Sequence, residues 1–171
     1  IGLIRDLNAH GVALQNKKVL LLGAGGAARG ALLPLLREQP AEIVVANRTA
    51  AKAEKLVEQL NIFLDSGSAP CSAKRYAALV RDNNNGGPNF DLIINATSAS
   101  LQNVNLPISE KIISEDTICY DMAYQEDLTC FLQWAKDCGA KVLIDGKGML
   151  LQQAAESFYL WRGVRPNINH Y

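Results

Sequence analysis

The chain has 171 residues, 49% of them hydrophobic and 20% charged, which is ordinary for one globular domain with a buried core. Its 17 basic and 17 acidic residues give a formal net charge of zero, which argues against a nucleic-acid partner or electrostatic attraction to a membrane. No apolar run approaches the roughly 18 residues of a membrane span, and the N-terminus lacks a signal-peptide pattern, so we expect a cytoplasmic protein. The four cysteines have no Cys-x-x-Cys spacing, which predicts free buried thiols and no metal site.

In chain order, the hydrophobic pattern predicts a leading helix over residues 1–16, then strands that alternate with helices, and a closing helix over residues 148–163. The predicted strands are short and almost continuously apolar, as in parallel sheets covered on both faces. They are NKKVLLL, AEIVVAN, FDLIIN, DTICYDM and AKVLIDG. The turn-forming residues within 61–90 predict a loop there, with room for a short strand and a helix. The alternation predicts a single α/β domain over residues 1–171 with a doubly wound parallel sheet.

Short motifs follow these predicted strands, at the strand ends where such sheets bind ligands. They are GAGG, NRT, NATS, DMAY and DGKG. The first begins a G-x-G-x-x-A pattern between a strand and a helix, which is typical of nucleotide-binding turns. There Gly23 permits a tight bend, and Gly25 lets the backbone approach a pyrophosphate at the helix N-terminus. The alternative is an ordinary tight turn between a strand and a helix.

The end of the second predicted strand, VVANRT, carries an arginine where NAD-binding proteins have an acidic residue. A carboxylate at this place would repel a 2′-phosphate on the adenosine ribose, whereas the neutral Asn47 does not. The Arg48 guanidinium offers a planar set of donors suited to a phosphate, and Thr49 adds a hydroxyl. The sequence therefore favours NADP. The alternative is a solvated arginine beside a helix-capping threonine.

The later motifs supply candidates for the nicotinamide end of such a ligand. Thr97 either caps its strand or lines the middle of the cofactor, and Met122, Tyr124 and Gly146 are expected near the nicotinamide. No residue is a convincing general acid for hydride transfer to a ketone. Both histidines are expected at the surface, and Lys147, between two glycines, is expected to be a flexible loop lysine.

Together, the motifs GAGGAARG, ANRT, FDLIINATS and YDMAY and the C-terminal stretch TCFLQWAKDCGAKVLIDGKGMLLQQAAESFYLWRGVRP closely resemble the C-terminal NADP-binding domain of shikimate dehydrogenase. The resemblance runs from residue 1 to about residue 166. It implies a Rossmann-type domain and the reduction of 3-dehydroshikimate by NADPH in aromatic amino-acid biosynthesis. In members of this family the catalytic lysine and aspartate belong to the N-terminal part of the protein. This chain is therefore expected to contain no catalytic residue and to be inactive alone.

The resemblance also assigns residues to the cofactor and the substrate. It implies that the glycine turn binds the pyrophosphate, through Gly23, Ala24, Gly25, Gly26 and Ala27. It implies that the next motif binds the 2′-phosphate, through Ala46, Asn47, Arg48, Thr49, Ala50 and Ala51. Met122 and Gly146 would contact the nicotinamide side, while Tyr124 and Gln153 would reach the shikimate held with the missing N-terminal domain.

Some readings stay open. Ser100 stands where the family usually has glycine, which would change the loop beside the nicotinamide. A quinate/shikimate dehydrogenase that uses either NAD or NADP is a sibling alternative, and glutamyl-tRNA reductase is a more distant one. A non-catalytic NADP-binding module that acts on a partner protein is the alternative outside enzymes.

Overall fold

The structure, a computed structural model, describes residues 1–64, 72–76 and 89–168. Its helices are α1 (Gly2–Ala9), α2 (Gly26–Arg37), α3 (Ala50–Leu64), α4 (Cys130–Asp137) and α5 (Lys147–Arg162). Its strands are β1 (Lys18–Leu22), β2 (Glu42–Ala46), β3 (Ser72–Tyr76), β4 (Leu92–Asn95), β5 (Ile118–Asp121) and β6 (Val142–Ile144). Short 3-10 turns cover Ser100–Gln102 and Glu110–Ile112.

The strands form one parallel sheet in the order β3-β2-β1-β4-β5-β6. This order confirms the doubly wound, Rossmann-type α/β fold predicted from the sequence. The register keeps the carboxyl ends of the central strands level, because Leu22 pairs with Ala46 on one side and with Asn95 on the other. The strand order reverses between β1 and β4, where two loops diverge and a ligand cleft is expected.

Both faces of the sheet are covered, which explains the continuously apolar strands. Along β1, Val19 and Leu21 pack into one core cluster and Leu20 and Leu22 into the other. Helices α1, α2 and α3 contribute to the first cluster, and α4 contributes to the second. Alternate side chains of a strand point to opposite faces, so a central strand covered on both faces is apolar along most of its length.

The leading helix is shorter than predicted, and the prediction of helix over residues 1–16 was wrong beyond Ala9. Gly11 adopts a left-handed φ of 72°. The N–H of Gly11 donates to the Asn8 carbonyl at 3.0 Å, and the N–H of Val12 donates to the Leu7 carbonyl at 2.9 Å. This is a Schellman cap, and the buried Leu7 and Leu14 on either side of it have the seven-residue spacing of a continuing helix.

The other element bounds agree more closely. Helix α5 begins at Lys147 and ends at Arg162, with Gly163 left-handed at φ 70°, as expected for a terminating glycine. Within the stretch 61–90, the structure adds the end of α3 and strand β3, while most of the loop RDNNNGGPN lies outside the described residues.

In the described parts no helix is long and apolar enough to cross a bilayer. Cys119 is a buried free thiol, Cys130 and Cys138 are free and half-buried, and Cys71 falls outside the described residues.

Candidate functional site

A cleft of about 730 Å³ opens at the carboxyl ends of β1, β2 and β4, at the reversal of strand order. Three segments supply most of its wall: the turn after β1, the corner after β2 and the stretch after β4. The lining residues are Leu22, Gly23, Ala24, Gly25, Gly26, Ala27, Ala46, Asn47, Arg48, Thr49, Lys52, Ala96, Thr97, Ser98, Ala99, Leu101, Gln102, Val104, Asn105, Leu106, Pro107, Met122 and Ala123. A cleft of this size and position suits an extended nucleotide.

The glycine turn after β1 forms the floor of the cleft. Gly23 has a φ of 109°, and a Cβ on it would lie 3.0 Å from the Ala96 carbonyl oxygen, so glycine is required there. Its N–H donates to the Ala46 carbonyl at 2.7 Å, which ties the turn to β2. Gly25 caps α2 without a side-chain acceptor and has open space beside its Cα. The first N–H groups of α2 are therefore accessible to an anion.

The corner after β2 carries the positive charge of the cleft. Asn47 donates from Nδ2 to the Thr49 carbonyl at 2.9 Å, which shapes the turn into α3. Arg48 and Thr49 are exposed at the rim. Lys52, in the first turn of α3, lines the same corner. Within the described part of the chain, the lining contains these two cations and no carboxylate, so the corner favours a phosphate over a neutral ribose.

The stretch after β4 is held by a buried polar network rather than by apolar packing. Asn95 is fully buried, so it does not line the cleft. Its Oδ1 accepts from the Thr97 hydroxyl at 2.7 Å and from the Thr97 N–H at 3.1 Å. The Thr97 hydroxyl accepts in turn from the N–H of Ala99 at 3.2 Å. Thr97 lines the cleft through a side chain whose position Asn95 fixes.

The Asp121 carboxylate is the centre of this network and is fully buried. Its Oδ1 accepts from Asn95 Nδ2 at 3.1 Å and from the N–H of Ala123 at 3.0 Å. Its Oδ2 accepts from the hydroxyl of Ser100 at 2.5 Å and from that of Thr129 at 2.6 Å. A buried carboxylate without a cation needs such donors. One side chain thereby ties both walls at this end of the cleft to the N-terminus of α4.

Ser100 takes part in this network although the family usually has glycine at that position. Besides donating to Asp121, the Ser100 hydroxyl accepts from Asn95 Nδ2 at 3.1 Å, and it is nearly fully buried. Ser100 thereby tethers the 3-10 turn to β5.

The remaining predicted site residues fall into two groups. Met122 lines the cleft, and Gly146 lies buried directly behind it, with its N–H donating to the Ala123 carbonyl at 3.0 Å. A Cβ on Gly146 would overlap the Met122 carbonyl, so the backbones touch. Tyr124 and Gln153 are exposed and lie outside the lining, and Gln153 packs against Gly2 at the contact between α1 and α5.

The sequence motifs predicted most of the segments that line the cleft but missed two of them. Lys52 was missed, although its place three residues after NRT, in the first helical turn, was a usable signal. The segment from Leu101 to Pro107 was missed because no periodicity marks it. Ala50 and Ala51 begin α3 beside the cleft without lining it. In the described parts of the chain, no three His, Cys, Asp or Glu residues group as metal ligands do.

Comparison with known proteins identifies the family. The family profile described as Shikimate / quinate 5-dehydrogenase matches residues 6–127, and the one described as Shikimate 5′-dehydrogenase C-terminal domain matches residues 146–170. A protein of Aeromonas hydrophila named shikimate dehydrogenase (NADP(+)) is 53% identical over 165 residues, which cover 96% of this chain and 56% of that protein. This chain therefore spans little more than half the length of that relative.

Solved structures agree with the sequence comparison. An Ael1 enzyme from Pseudomonas putida matches with a TM-score of 0.81 and 45% identity, over 97% of this chain and 57% of its own. A shikimate dehydrogenase solved in complex with NADP⁺ matches with a TM-score of 0.76 and 31% identity, over 98% of this chain and 56% of its own. Because the first profile covers well over half of its residues, the chain belongs to the shikimate / quinate 5-dehydrogenase family.

Proposed function

We propose that this chain is the cofactor-binding half of an NADP-dependent shikimate dehydrogenase, which reduces 3-dehydroshikimate with NADPH. The observation that carries the proposal is the cationic corner of the cleft, where Arg48 follows β2, Lys52 lies in the first turn of α3, and none of the described lining residues carries a carboxylate. A 2′-phosphate distinguishes NADP from NAD, and a guanidinium is the side chain best suited to it.

The shape of the cleft fits the rest of the same cofactor. Gly23, Gly25 and the open N-terminus of α2 suit the pyrophosphate, because a backbone without side chains can approach it closely. The adjoining small residues of the turn, Ala24, Gly26 and Ala27, keep that approach free. Thr97 and Met122 would hold the nicotinamide end, with Gly146 supporting Met122 from behind. When bound, NADPH would supply the hydride of the reaction.

This chain would position the cofactor, and the proton-transfer residues would come from the rest of the longer protein. The family resemblance assigns the catalytic lysine and aspartate to the N-terminal part of such enzymes, which this chain does not match. Tyr124, 47% exposed, and Gln153 are left facing outward, where a substrate held by another domain could reach them. We assign both to the shikimate carboxylate or hydroxyls.

Exposed apolar side chains at the end of α5 support a covering domain. Leu160 is 72% exposed, Trp161 83% and, just beyond the helix, Val164 64%. Ile1, at the start of the adjacent α1, is 59% exposed. Large apolar groups in such numbers are rare on a free surface and mark a contact with another protein part. The part of the relatives that this chain does not match is the natural occupant.

Calorimetric titration with NADPH and NADH tests the cofactor assignment. Loss of a charge-assisted hydrogen bond costs about 1.5–3 kcal/mol, so Arg48→Ala should lower NADPH affinity roughly 10- to 100-fold and leave NADH affinity almost unchanged. Arg37→Ala is the matched control, because it removes the same charge from the far end of α2. Equal losses for both cofactors in Arg48→Ala, or no binding by the unaltered chain, would refute the proposal.

A turnover assay tests the assignment of the chain as one half. Incubated with shikimate and NADP⁺, the chain should bind the cofactor and form no NADPH above background. Measurable turnover would show that a residue of this chain moves the proton. Lys147, exposed at the start of α5, would then be the first residue to replace.

A further inference from the structure

A buried contact joins three elements behind the nicotinamide end of the cleft. Asp6 of α1 is 3% exposed and Tyr120 of β5 is fully buried. The Tyr120 hydroxyl donates to Asp6 Oδ2 at 2.6 Å. His10 approaches from solvent, with Nδ1 3.5 Å from Asp6 Oδ1. The cleft does not include this contact, and the cofactor assignment above does not use it.

The third element is the first turn of α5. A Cβ on Gly148 would overlap Asp6 Oδ1, so the carboxylate lies directly against the helix backbone at that glycine. A negative charge is stabilising at this end of a helix, where the N–H groups have no acceptor within the helix. Asp6 thus holds β5 through Tyr120 and α5 through its N-terminal turn.

Strand β5 and helix α5, the two elements that contact Asp6, both lie next to the wall of the cleft. Tyr120 lies two residues before Met122, and Gly148 lies two residues after Gly146. The Met122 and Gly146 backbones touch, and Gly146 is hydrogen-bonded to Ala123. A displacement of either element at Asp6 would therefore move the wall that Met122 and Ala123 form.

We propose that Asp6 is a positioning residue for the nicotinamide end of the cleft, acting through Tyr120 on β5 and Gly148 on α5. The inference rests on the proposed cofactor function and assigns a role to a residue at least two contacts away from the ligand. Asp6 adjusts where Met122 lies and makes no contact with the adenosine end.

The pKa of Tyr120 keeps its hydroxyl protonated, so that it can always donate to Asp6. Burial, and then the hydrogen bond to Asp6, raise the pKa of the Tyr120 phenol far above its usual value. The nearby carboxylates of Asp145 and Asp121 raise the pKa further. The hydroxyl therefore stays protonated throughout the pH range in which the cofactor can be titrated.

The test compares two ligands that share the adenosine end. NADPH carries the nicotinamide, whereas adenosine 2′,5′-bisphosphate ends at the 5′-phosphate. Tyr120→Phe and Asp6→Ala, each of which removes this hydrogen bond, should lower NADPH affinity about three- to tenfold and change bisphosphate affinity less than about twofold. The fluorescence of saturating bound NADPH should also change, because it reports the surroundings of the nicotinamide.

Thr117→Val is the matched control at the opposite end of β5. The Thr117 hydroxyl is buried and donates to the Phe90 carbonyl at 3.1 Å, so its loss costs stability without touching the cleft. The control should lower the melting temperature and leave the ratio of the two affinities unchanged. Equal losses for both ligands in Tyr120→Phe, or unchanged NADPH affinity, would overturn the role of Asp6 alone. Failure of the unaltered chain to bind either ligand would overturn the cofactor assignment and the role of Asp6 with it.

Discussion

The two ends of the cleft, which we propose hold the adenosine and the nicotinamide of the cofactor, are built in different ways. At the adenosine end, the groups that can hold a phosphate lie within six consecutive residues, from Asn47 to Lys52, and their side chains reach solvent. At the nicotinamide end, the wall depends on buried groups far apart in sequence, among them Asp6, Asn95 and Asp121. Ligand chemistry is thus encoded locally at one end, whereas position is encoded by tertiary contacts at the other.

The difference has an energetic consequence. Exposed charges interact through a high dielectric and are screened by salt, so each contributes modestly to binding and little to folding. Buried hydrogen bonds contribute modestly while they are complete, but the loss of one partner leaves others unsatisfied at a cost of about 1–3 kcal/mol each. Substitutions at the adenosine end should therefore change affinity, and those at the nicotinamide end should change stability as well.

The strongest test of this contrast is Asp121→Ala. Removal of the carboxylate takes the shared acceptor from four donors, of which those of Asn95, Ser100 and Thr129 are buried and that of Ala123 is half-buried. Because these losses overlap, we expect the free energy of unfolding to fall by about 3–4 kcal/mol. A lower urea midpoint at an unchanged slope measures it.

Asp116→Ala is the control for that experiment. Asp116 is an exposed acid just before the same strand, and its loss should change stability by less than about 0.5 kcal/mol. If Asp121→Ala cost no more than its control, the buried network would not hold this end of the cleft, and the contrast would fail.

The same contrast explains how far sequence reasoning could reach. The sheet follows from apolar strands and their alternation with helices, and the glycine turn follows from a local pattern, so both were predictable. The cationic corner was predictable in part, because Arg48 ends a recognisable strand. The Asp6–Tyr120 hydrogen bond joins residues 114 positions apart. No local pattern indicates it, because the burial of either polar group depends on how α1, β5 and α5 pack.

The one clear error in the fold has a similar origin. Leu14 follows Leu7 at the seven-residue spacing of a helix face, yet a Schellman cap has already turned the chain between them. Apolar spacing predicts burial, and both residues are indeed buried. It does not distinguish a continuing helix from a cap that folds the next apolar residue back onto the last turn. Gly11 was the local signal for the cap.

Gly146→Ala should produce the next largest effect. The added Cβ would meet the Met122 backbone, which has no flexible end to move aside, so we expect a loss of about 1–3 kcal/mol from overpacking. NADPH affinity should fall with it, because Met122 lines the cleft. Thermal unfolding and calorimetric titration measure the two effects.

Gly30→Ala supplies a control of opposite sign. Gly30 lies inside α2, and a Cβ there would meet nothing within 4 Å. Alanine in an exposed helix interior should stabilise the protein by about 0.5–1 kcal/mol. If both glycine variants were stabilised, the close approach of Gly146 to Met122 would not constrain the wall.

The smallest expected effect is that of Lys52→Ala, which concerns the adenosine end alone. An exposed lysine that acts through its field should contribute less than about 1 kcal/mol to NADPH binding, so affinity should fall about two- to fivefold at low salt. The loss should nearly vanish at roughly 1 M salt, where the Debye length is about 3 Å. Lys55→Ala, one turn further along α3 and outside the lining, should change nothing at either salt concentration.

Calorimetric titration at both salt concentrations separates two mechanisms. A loss that disappears with salt means that Lys52 attracts the phosphate and Arg48 holds it. A loss that persists means that Lys52 donates a hydrogen bond of its own, and the adenosine end would then depend on fixed contacts as the nicotinamide end does.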